Sequence, residues 1–359
     1  MTTTKKTLEE ARATRRGGQG RFVGVVSRVR ELGLLIVLLL IVAVVSVQVP
    51  RFLTVSNIEQ ILLSVAILAI VAVGETLVVL TRNVDLSVGS MLGFTAFVAA
   101  NLFKQQPGTN LLLAILLGCA LGLILGAVNG LIVTVGRVPA IIVTLGTLYV
   151  YRGLDFVVAG GTQVSASDVP DSYLNLATTR VFGVPALILF AAAIALIFAY
   201  LLHSSRSGRQ LYAIGSNPEA ARLVGIRSDL LVFGTFLLSG LLCGFAGVLW
   251  GARFATVDAT AANGLELQVI AAVVVGGVNI FGGSGTILGA VLGAIVLGTV
   301  DDALNLLKLS QFWLQAIDGA AILVAVSLDA FITRWVQRVL ITRRRADQSP
   351  PYLSGGRQR

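Results

Sequence analysis

The chain has 359 residues, of which 56% are hydrophobic and only 13% are charged. This composition excludes an ordinary soluble protein and predicts an integral membrane protein, because the apolar residues fall in many separate runs of the length that crosses a bilayer. The net charge of +9 is concentrated in two basic tails, which favours contact with an anionic membrane surface and argues against nucleic-acid binding. Cys119 and Cys243 lie in separate apolar runs without metal-ligand spacing, so neither a disulfide framework nor a metal site is predicted.

The predicted elements begin after a polar, basic segment, residues 1–31, which we expect to be disordered. A transmembrane domain, residues 32–332, follows, and a basic tail, residues 333–359, ends the chain. The fold class is therefore predicted to be all-α, a polytopic membrane protein with about ten transmembrane helices. The predicted spans are 32–49, 58–80, 88–103, 111–135, 140–158, 184–202, 230–250, 267–280, 286–305 and 312–331. Residues 159–183 are expected to form a turn-rich loop.

An even number of spans places both termini on the same side of the membrane. On that side also lie Arg82, Arg137 and a polar stretch, residues 203–228, which we call the island. Because short loops rich in Lys and Arg stay inside the cell, this side is predicted to be the cytoplasm of a cell-membrane protein.

The island contains a very short predicted helix with a signal at each end. Asn217 suits the N-cap and Pro218 the first helical position, Glu219 lies where the helix dipole favours an anion, and Gly225 suits the C-terminal stop. A helix of two turns is unstable alone, so either the body of this protein or a partner must hold it.

Small residues recur along the fourth predicted span at every fourth position, as Gly118, Gly122, Gly126 and Gly130. Such spacing places the glycines on one face of a helix, where they allow a second helix to approach closely. We interpret them as packing residues.

Two polar breaks interrupt the apolar runs, residues 81–87 (TRNVDLS) and residues 281–285 (FGGSG). The segments that begin at Asn83 and Asn279 share the placing of Asn, Gly, hydroxyl and Leu residues, and paired breaks in two halves of a transporter often mark its pathway. Asn83, Asp85, Ser87 and Asn279 are therefore candidate pathway residues. A second interpretation stays open, in which Asp85 or Ser87 caps the helix that follows.

Ionisable residues within or beside spans are costly unless they are paired or hydrated. We single out eight of them: Glu75, Asp85, Arg152, Asp155, Glu266, Asp301, Asp302 and Asp318. Most lie near predicted span ends, where we expect water to reach them.

The sequence shows no catalytic constellation. The single histidine, His203, lies at a span end without an evident nucleophile or metal partner. A phosphate-binding loop needs Gly-Lys-Ser/Thr, whereas Lys5, Lys6, Lys104 and Lys308 never follow a glycine. We therefore expect a protein that is not an enzyme, without an ATPase site or bound cofactor of its own.

Four stretches in order carry a family resemblance: Gly74–Ser90, Gly136–Leu154, Gly208–Ile226 and Leu265–Ala294. Across about residues 33–332 the chain resembles the permease subunit of ribose-type carbohydrate ABC transporters. The resemblance implies the ABC importer permease fold, a cytoplasmic ATPase partner that hydrolyses the ATP, a second permease subunit that is identical or related, and an extracytoplasmic sugar-binding protein. It also implies that Asn217, Pro218, Glu219, Ala220, Ala221, Arg222 and Gly225 form the motif that couples the permease to the ATPase.

The resemblance also bears on the substrate. Thr81-Arg82-Asn83 departs from the glycine pair of many ribose-type permeases and is similar to the subgroup that serves rhamnose and autoinducer-2. One alternative from another class stays open, an ion-coupled secondary transporter or channel that uses Asp85 or Glu75 without an ATPase partner.

Overall fold

The computed structural model describes residues 32–310, 312–313, 315–317, 319–320, 322–324 and 327. Within them the chain is almost entirely helical, which confirms the all-α prediction. The helices are α1 (Leu32–Gln48), α2 (Val55–Leu80), α3 (Val88–Gln105), α4 (Leu111–Thr134), α5 (Ala140–Ala159), α6 (Asp171–Thr178), α7 (Ala186–Ser204), α8 (Arg206–Ser216), α9 (Pro218–Leu223), α10 (Ser228–Phe254), α11 (Leu265–Val275) and α12 (Ile287–Leu306). The predictions for residues 1–31 and 333–359 lie outside the described residues, as do parts of the predicted last span.

Six of these helices are long and apolar enough to cross a membrane: α2, α4, α5, α7, α10 and α12. The predicted count of ten is approximate, because it also includes α1, α3, α11 and the last span. α1 and α11 are shorter than a full span, and α3 carries polar and small side chains along its length. The ends of α1 to α5, α7, α10 and α12 lie within four residues of the predicted ones, whereas α11 ends at Val275, five residues before the predicted end.

α2 forms the centre of the bundle. Every residue from Val65 to Leu80 is buried, and α10, α12, α7 and α11 all pack against this helix. In contrast, α4, α5 and α7 leave most of their apolar surface exposed. Apolar side chains that face outward from a bundle are suited to contact lipid.

The glycines of α4 pack against α10, as the sequence predicted. A Cβ atom added to Gly122 would overlap the carbonyl oxygen of Gly240, and one added to Gly126 would overlap the carbonyl oxygen of Phe236. Gly240 itself meets the backbone of Gly122 in return. The two helices therefore touch backbone to backbone, which strengthens dispersion contacts in a membrane where the hydrophobic effect is weak.

The two ends of the bundle can be distinguished by their polar contacts. At one end, Arg82 bonds to the island. Ala140, the first residue of α5 after the turn that contains Arg137, lies in the same apolar cluster as Ala221 of the island. We call this the island end. It brings Arg82, the Arg137 turn and the island together, as predicted.

The opposite end, which we call the far end, is tied together by ion pairs and polar bonds. Lys104 contacts Asp168 at 3.1 Å, and Arg180 contacts Glu59 at 2.7 Å. These pairs connect the end of α3 and the start of α2 with residues 160–185.

One predicted loop contains regular structure, and one helix of the island was not predicted. Residues 159–183 contain α6, whose Tyr173 is fully buried and donates to the carbonyl of Val248 at 3.0 Å, and a small hairpin follows with strands β1 (Arg180–Val181) and β2 (Val184–Pro185). The island contains a second helix, α8, in addition to the short helix α9. Ser205 caps α8 by accepting from the amide of Gly208 at 2.9 Å, and its buried Leu211 and Ile214 hold it on the bundle.

Candidate functional site

Helix α9 has the ends that the sequence specifies. The Asn217 side chain accepts from the amide of Ala220 at 3.1 Å, and Pro218 occupies the first position. Gly225 adopts the left-handed conformation with φ of +81°, and the amide of the next residue donates to the carbonyl of Ala221 at 3.0 Å. This is the glycine stop that lets a helix end while its last carbonyls stay bonded.

Ala221 is the buried residue of α9. Ala221 is buried in a small apolar cluster with Val78 of α2, Ala140 of α5 and Val232 of α10. Because the alanine side chain is short, the α9 backbone can lie close against its neighbours α8 and α10. The protein body thus supplies part of the support that so short a helix needs.

The rest of α9 faces outward. Glu219, Ala220 and Arg222 are exposed, and Arg222 contacts Asp229 at 3.2 Å on the same surface. Two apolar side chains stand uncovered beside them, Leu223 at 88% exposure and Val224 at 76%. An apolar pair rimmed by charges at the end of a bundle is typical of a surface that another protein covers.

Arg82 joins the first polar break to the island. Its backbone is left-handed, with φ of +67°, which turns the side chain under α8, where Nε donates to the carbonyl of Gly215 and Nη2 donates to that of Ser216 at 2.9 Å. The sequence indicated Arg82 as a positive charge on the inner side and as part of a motif that bears on the substrate, but it gave no partner for the side chain. Its contact with residues more than 130 positions away carries no local signal.

The second polar break meets the first beneath α8. The amide of Gly283 donates to the carbonyl of Leu80 at 3.0 Å, and Tyr212 of α8 donates to the carbonyl of Gly285 at 2.8 Å. A Cβ atom on Gly215 would overlap both Leu80 and Gly283. The island therefore rests directly on both breaks.

Asn83 and Asn279 each serve a turn within their own break. Asn83 Nδ2 donates to Thr81, to the carbonyl at 3.1 Å and to Oγ1 at 2.9 Å. Asn279 Oδ1 accepts from the amide of Phe281 at 2.7 Å. A pathway role for either residue stays a prediction.

Asp85 and Ser87 form a buried polar cluster with residues from three helices. Asp85 Oδ1 accepts from the amide of Ser87 at 2.9 Å and from its hydroxyl at 2.6 Å. Asn129 of α4 donates to the Ser87 hydroxyl at 2.8 Å, and Tyr151 of α5 donates to Asn129 Oδ1 at 3.0 Å. Glu75 of α2 completes the cluster by accepting from the amide of Asp85 at 3.0 Å.

This arrangement bears on the two interpretations of Asp85. The Asp85 carboxylate accepts a hydrogen bond from the backbone amide of Ser87, the residue just before α3. The Ser87 side chain itself makes no capping hydrogen bond to that helix. Glu75 Oε2 and Asp85 Oδ2 have no hydrogen-bond partner among the described residues, and both side chains are fully buried. The expectation that water reaches most ionisable residues was therefore wrong for Glu75, Asp85 and also Asp155, which is buried as well.

Asn129 and Tyr151 were not found from the sequence. Asn129 is the single amide in a glycine-rich apolar span, and that isolation is a signal that would have singled it out. Tyr151 lies in the stretch that carries the family resemblance, but nothing in its neighbourhood along the chain indicates its partner.

Arg152 holds the loop between α10 and α11. Its Nη1 donates to the carbonyls of Ala259 at 3.0 Å and Ala261 at 2.7 Å, and it lies 3.8 Å from Asp155. The loop packs against α3 where Gly93 leaves room, since a Cβ atom there would overlap the carbonyl of Ala261. This loop therefore descends from the far end into the bundle.

These features define a polytopic helical membrane protein with a capped helix exposed at one end. Over residues 57–326 the chain matches the family described as branched-chain amino acid transport system / permease component. The chain therefore belongs to this family of permease components.

Individual relatives agree with this assignment. The chain is 40% identical over 297 residues to the ribose import permease protein of Escherichia coli, covering 82% of this chain and 92% of the relative. It is 37% identical over 329 residues to a probable ABC transporter permease of Sinorhizobium fredii (91% and 97% covered). It is 34% identical over 309 residues to an autoinducer 2 import system permease of Yersinia pseudotuberculosis (86% and 87% covered). The resemblance to ribose-type permeases is confirmed, and no solved structure matches the chain.

Proposed function

We propose that this chain is the membrane-spanning permease subunit of an ATP-driven ABC importer, and that its substrate is a monosaccharide or similar sugar delivered by an extracytoplasmic binding protein. The exposed face of α9 is the observation that carries the proposal. The relatives named as ribose and autoinducer 2 permeases supply the substrate class.

The ATPase is the partner that we assign to this face. Leu223 and Val224 would enter a groove of the ATPase, while Glu219 and Arg222 would meet polar groups at its rim. The island end would then be cytoplasmic, both termini would lie on that side of the cell membrane, and a second permease copy or homologue would enclose the path. The ATP would be hydrolysed by the partner, and this chain would bind no cofactor.

The contacts of the island suggest how a push on α9 reaches the spans. Ala221 shares a buried apolar cluster with residues of α2, α5, α8 and α10, and Arg82 links the island to the first break. Because α9 is capped at both ends and only six residues long, it can move as a unit with little change of shape. Displacement of the island would then shift the helices that meet at both breaks.

Replacing one exposed leucine tests the coupling role. We expect Leu223→Ser to lower both sugar uptake and binding-protein-stimulated ATP hydrolysis at least fivefold, with normal membrane insertion. Leu309→Ser is the matched control, because Leu309 is also exposed but lies beyond α12, at the far end. Unchanged stimulation in Leu223→Ser would contradict the assignment of this face to the ATPase.

A second candidate is an ion-coupled transporter or channel, and it rests on the unpartnered oxygens of Glu75 and Asp85. It requires transport in vesicles that contain this chain alone, driven by an ion gradient. The importer requires no such transport until the ATPase, ATP and binding protein are added.

A further inference from the structure

Two carboxyl groups lie in the core of the bundle without a positive partner. Glu75 and Asp85 are fully buried, and no ion pair joins either of them to a basic residue in the described part of the chain. Arg82, in the same break as Asp85, donates to the island, and Arg152 donates to loop carbonyls. Two neighbouring buried anions would repel each other and would both lose their hydration, so at least one of them must be neutralised.

The surroundings of the pair offer neither bulk water nor a counter-charge. Every residue of α2 from Val65 to Leu80 is buried, and a Cβ atom added to Gly74 would lie 2.9 Å from the Cα atom of Ser239 on α10. The other titratable groups that interact with the pair, Tyr151 of α5 and Cys243 of α10, carry no charge at neutral pH. The neutralising charge must therefore come from an ion that the pair itself binds.

The free oxygens of this site suit a proton better than a metal cation. Three buried oxygens have no hydrogen-bond partner among the described residues: Glu75 Oε2, Asp85 Oδ2 and, beside Gly74, Ser239 Oγ. Hard cations such as Mg²⁺ and Ca²⁺ take about six to eight oxygen ligands, and three fall short of that number in a core that excludes water. A proton on one carboxyl needs a single acceptor, which the other carboxyl can supply.

A chain of donors points at Asp85 and favours the negative charge there. Tyr151 donates to Asn129 Oδ1 at 3.0 Å, Asn129 Nδ2 donates to the Ser87 hydroxyl at 2.8 Å, and that hydroxyl donates to Asp85 Oδ1 at 2.6 Å. The amide of Ser87 donates to the same oxygen at 2.9 Å. Donors that converge on a carboxylate stabilise its ionised form, and successive bonds in one direction strengthen one another.

The backbone assigns the same roles to the two carboxyls. Asp85 lies just before the N-terminus of α3, where the helix dipole favours an anion. Glu75 lies within α2, near the negative C-terminal end of that helix, which ends at Leu80. Among the described residues Glu75 accepts a single hydrogen bond, from the amide of Asp85 at 3.0 Å. Asp85 is therefore better suited to carry the charge, and Glu75 to be neutral.

We propose that Glu75 is a proton-binding site, and that at neutral pH its Oε2 carries a proton and donates to Oδ2 of ionised Asp85. One proton then supplies a partner to both unpaired oxygens and lowers the buried charge of the pair from two to one. The neutral acid accepts one bond from Asp85 and donates another, which fastens α2 to the first break. The proton belongs to the resting protein, so this inference does not depend on which candidate function is correct.

Infrared spectroscopy of the full chain in lipid nanodiscs tests the assignment, because protonated carboxyls have a C=O stretching band separate from the bands of carboxylates. At neutral pH we expect Glu75→Gln to remove one carboxylic-acid band. Asp85→Asn should keep that band and shift it, since the O–H group loses its charged acceptor. A band lost in Asp85→Asn and kept in Glu75→Gln, or no acid band lost in Glu75→Gln, would overturn the proposal.

Isotope labelling gives a test that does not depend on the folding of a variant. A ¹³C label on the glutamate carboxyls of the unsubstituted chain should shift an acid band. If this label shifts no acid band, the chain holds no protonated glutamate and the proposal is wrong. Asp168→Asn is the control substitution and should leave the acid region unchanged, because the Asp168 carboxyl pairs with Lys104 at the far end.

Exchange of the salt tests a bound metal cation in place of the proton. The melting temperature of the unsubstituted chain should be the same in sodium, potassium and choline chloride, relative to that of Glu75→Gln. If sodium or potassium raises the melting temperature of the unsubstituted chain but not that of Glu75→Gln, the pair holds a metal cation and the proposal fails.

Discussion

Arg82 Nη2 donates to the carbonyl oxygen of Ser216 at 2.9 Å, which ties the end of α2 to the end of α8. The guanidinium makes a second bond, from Nε to the carbonyl of Gly215. One side chain thus bonds two consecutive carbonyls where α8 meets α9. The planar fork of arginine is suited to such a pair, and the single ammonium of lysine is not.

Arg82→Lys should therefore weaken transport although it keeps the charge. Losing one or both bonds removes about 1.5–3 kcal/mol of charge-assisted hydrogen bonding, and we expect uptake to fall about three- to tenfold with insertion unchanged. Arg137→Lys is the control, because Arg137 has a similar left-handed backbone, φ of +55°, in an exposed turn at the same end. The measurement is initial uptake rate per unit of inserted protein, and equal rates in the two variants would show that the Arg82 bonds do not matter.

Two substitutions at Asp85 distinguish a structural carboxyl from one that binds a cation or carries a proton. An asparagine keeps an oxygen that can accept from the amide and hydroxyl of Ser87, whereas an alanine leaves buried donors unpaired at a cost of about 1–3 kcal/mol each. If Asp85 only organises the start of α3, Asp85→Asn should retain at least half of the uptake while Asp85→Ala lowers the yield of folded protein. Complete loss of uptake in a well-folded Asp85→Asn variant would favour the ion-coupled alternative.

The contact between α4 and α10 should not tolerate a methyl group added to one of its glycines. In Gly122→Ala the new Cβ atom would overlap the carbonyl of Gly240, and overpacking of this kind costs about 1–3 kcal/mol or more. In Gly146→Ala on α5 the new Cβ atom meets nothing within 4 Å, and alanine favours the helix. We expect the melting temperature in detergent to fall by several degrees in the first variant and to stay level or rise in the second. The same melting temperature in both would contradict the backbone contact.

The ion pair at the far end predicts a pH effect. The Ser165 amide and the Lys104 ammonium lower the pKa of the Asp168 carboxyl below its usual value. A carboxyl with a lowered folded pKa stabilises the fold above its unfolded pKa, about 3.9, and this contribution disappears as the pH falls through the folded pKa. The unfolding temperature of Asp168→Asn should therefore depend less on pH between 5 and 3 than that of the unsubstituted chain. Parallel pH profiles would show that the pair contributes nothing.

The parts of the fold that the sequence predicted depend on local chemistry. Asn217 and Gly225 specify the ends of α9 because a cap and a left-handed stop need only the neighbouring residues. Likewise, glycines at every fourth position, as at Gly122, predict a contact face without naming the partner helix. These features survive in the folded protein because nothing distant competes with them.

The parts that could not be predicted depend on pairs that are distant in the chain. Arg82 bonds Ser216, which lies 134 positions further along the chain, so this contact does not follow from the neighbourhood of either residue. The α10–α11 loop is similar, since Arg152 holds it through carbonyl groups that every residue has. Composition and periodicity carry no information about which carbonyl will be bonded.

The glycine contact between α4 and α10 also limits how this protein can move. Gly122 and Gly240 leave no side-chain layer between the two backbones, so sliding one helix past the other would force main-chain atoms into one another. α4 and α10 must consequently move together as one rigid unit. A displacement of α9 that reaches the start of α10 must then also move α4, and the gap that opens for a substrate has to lie elsewhere in the assembly.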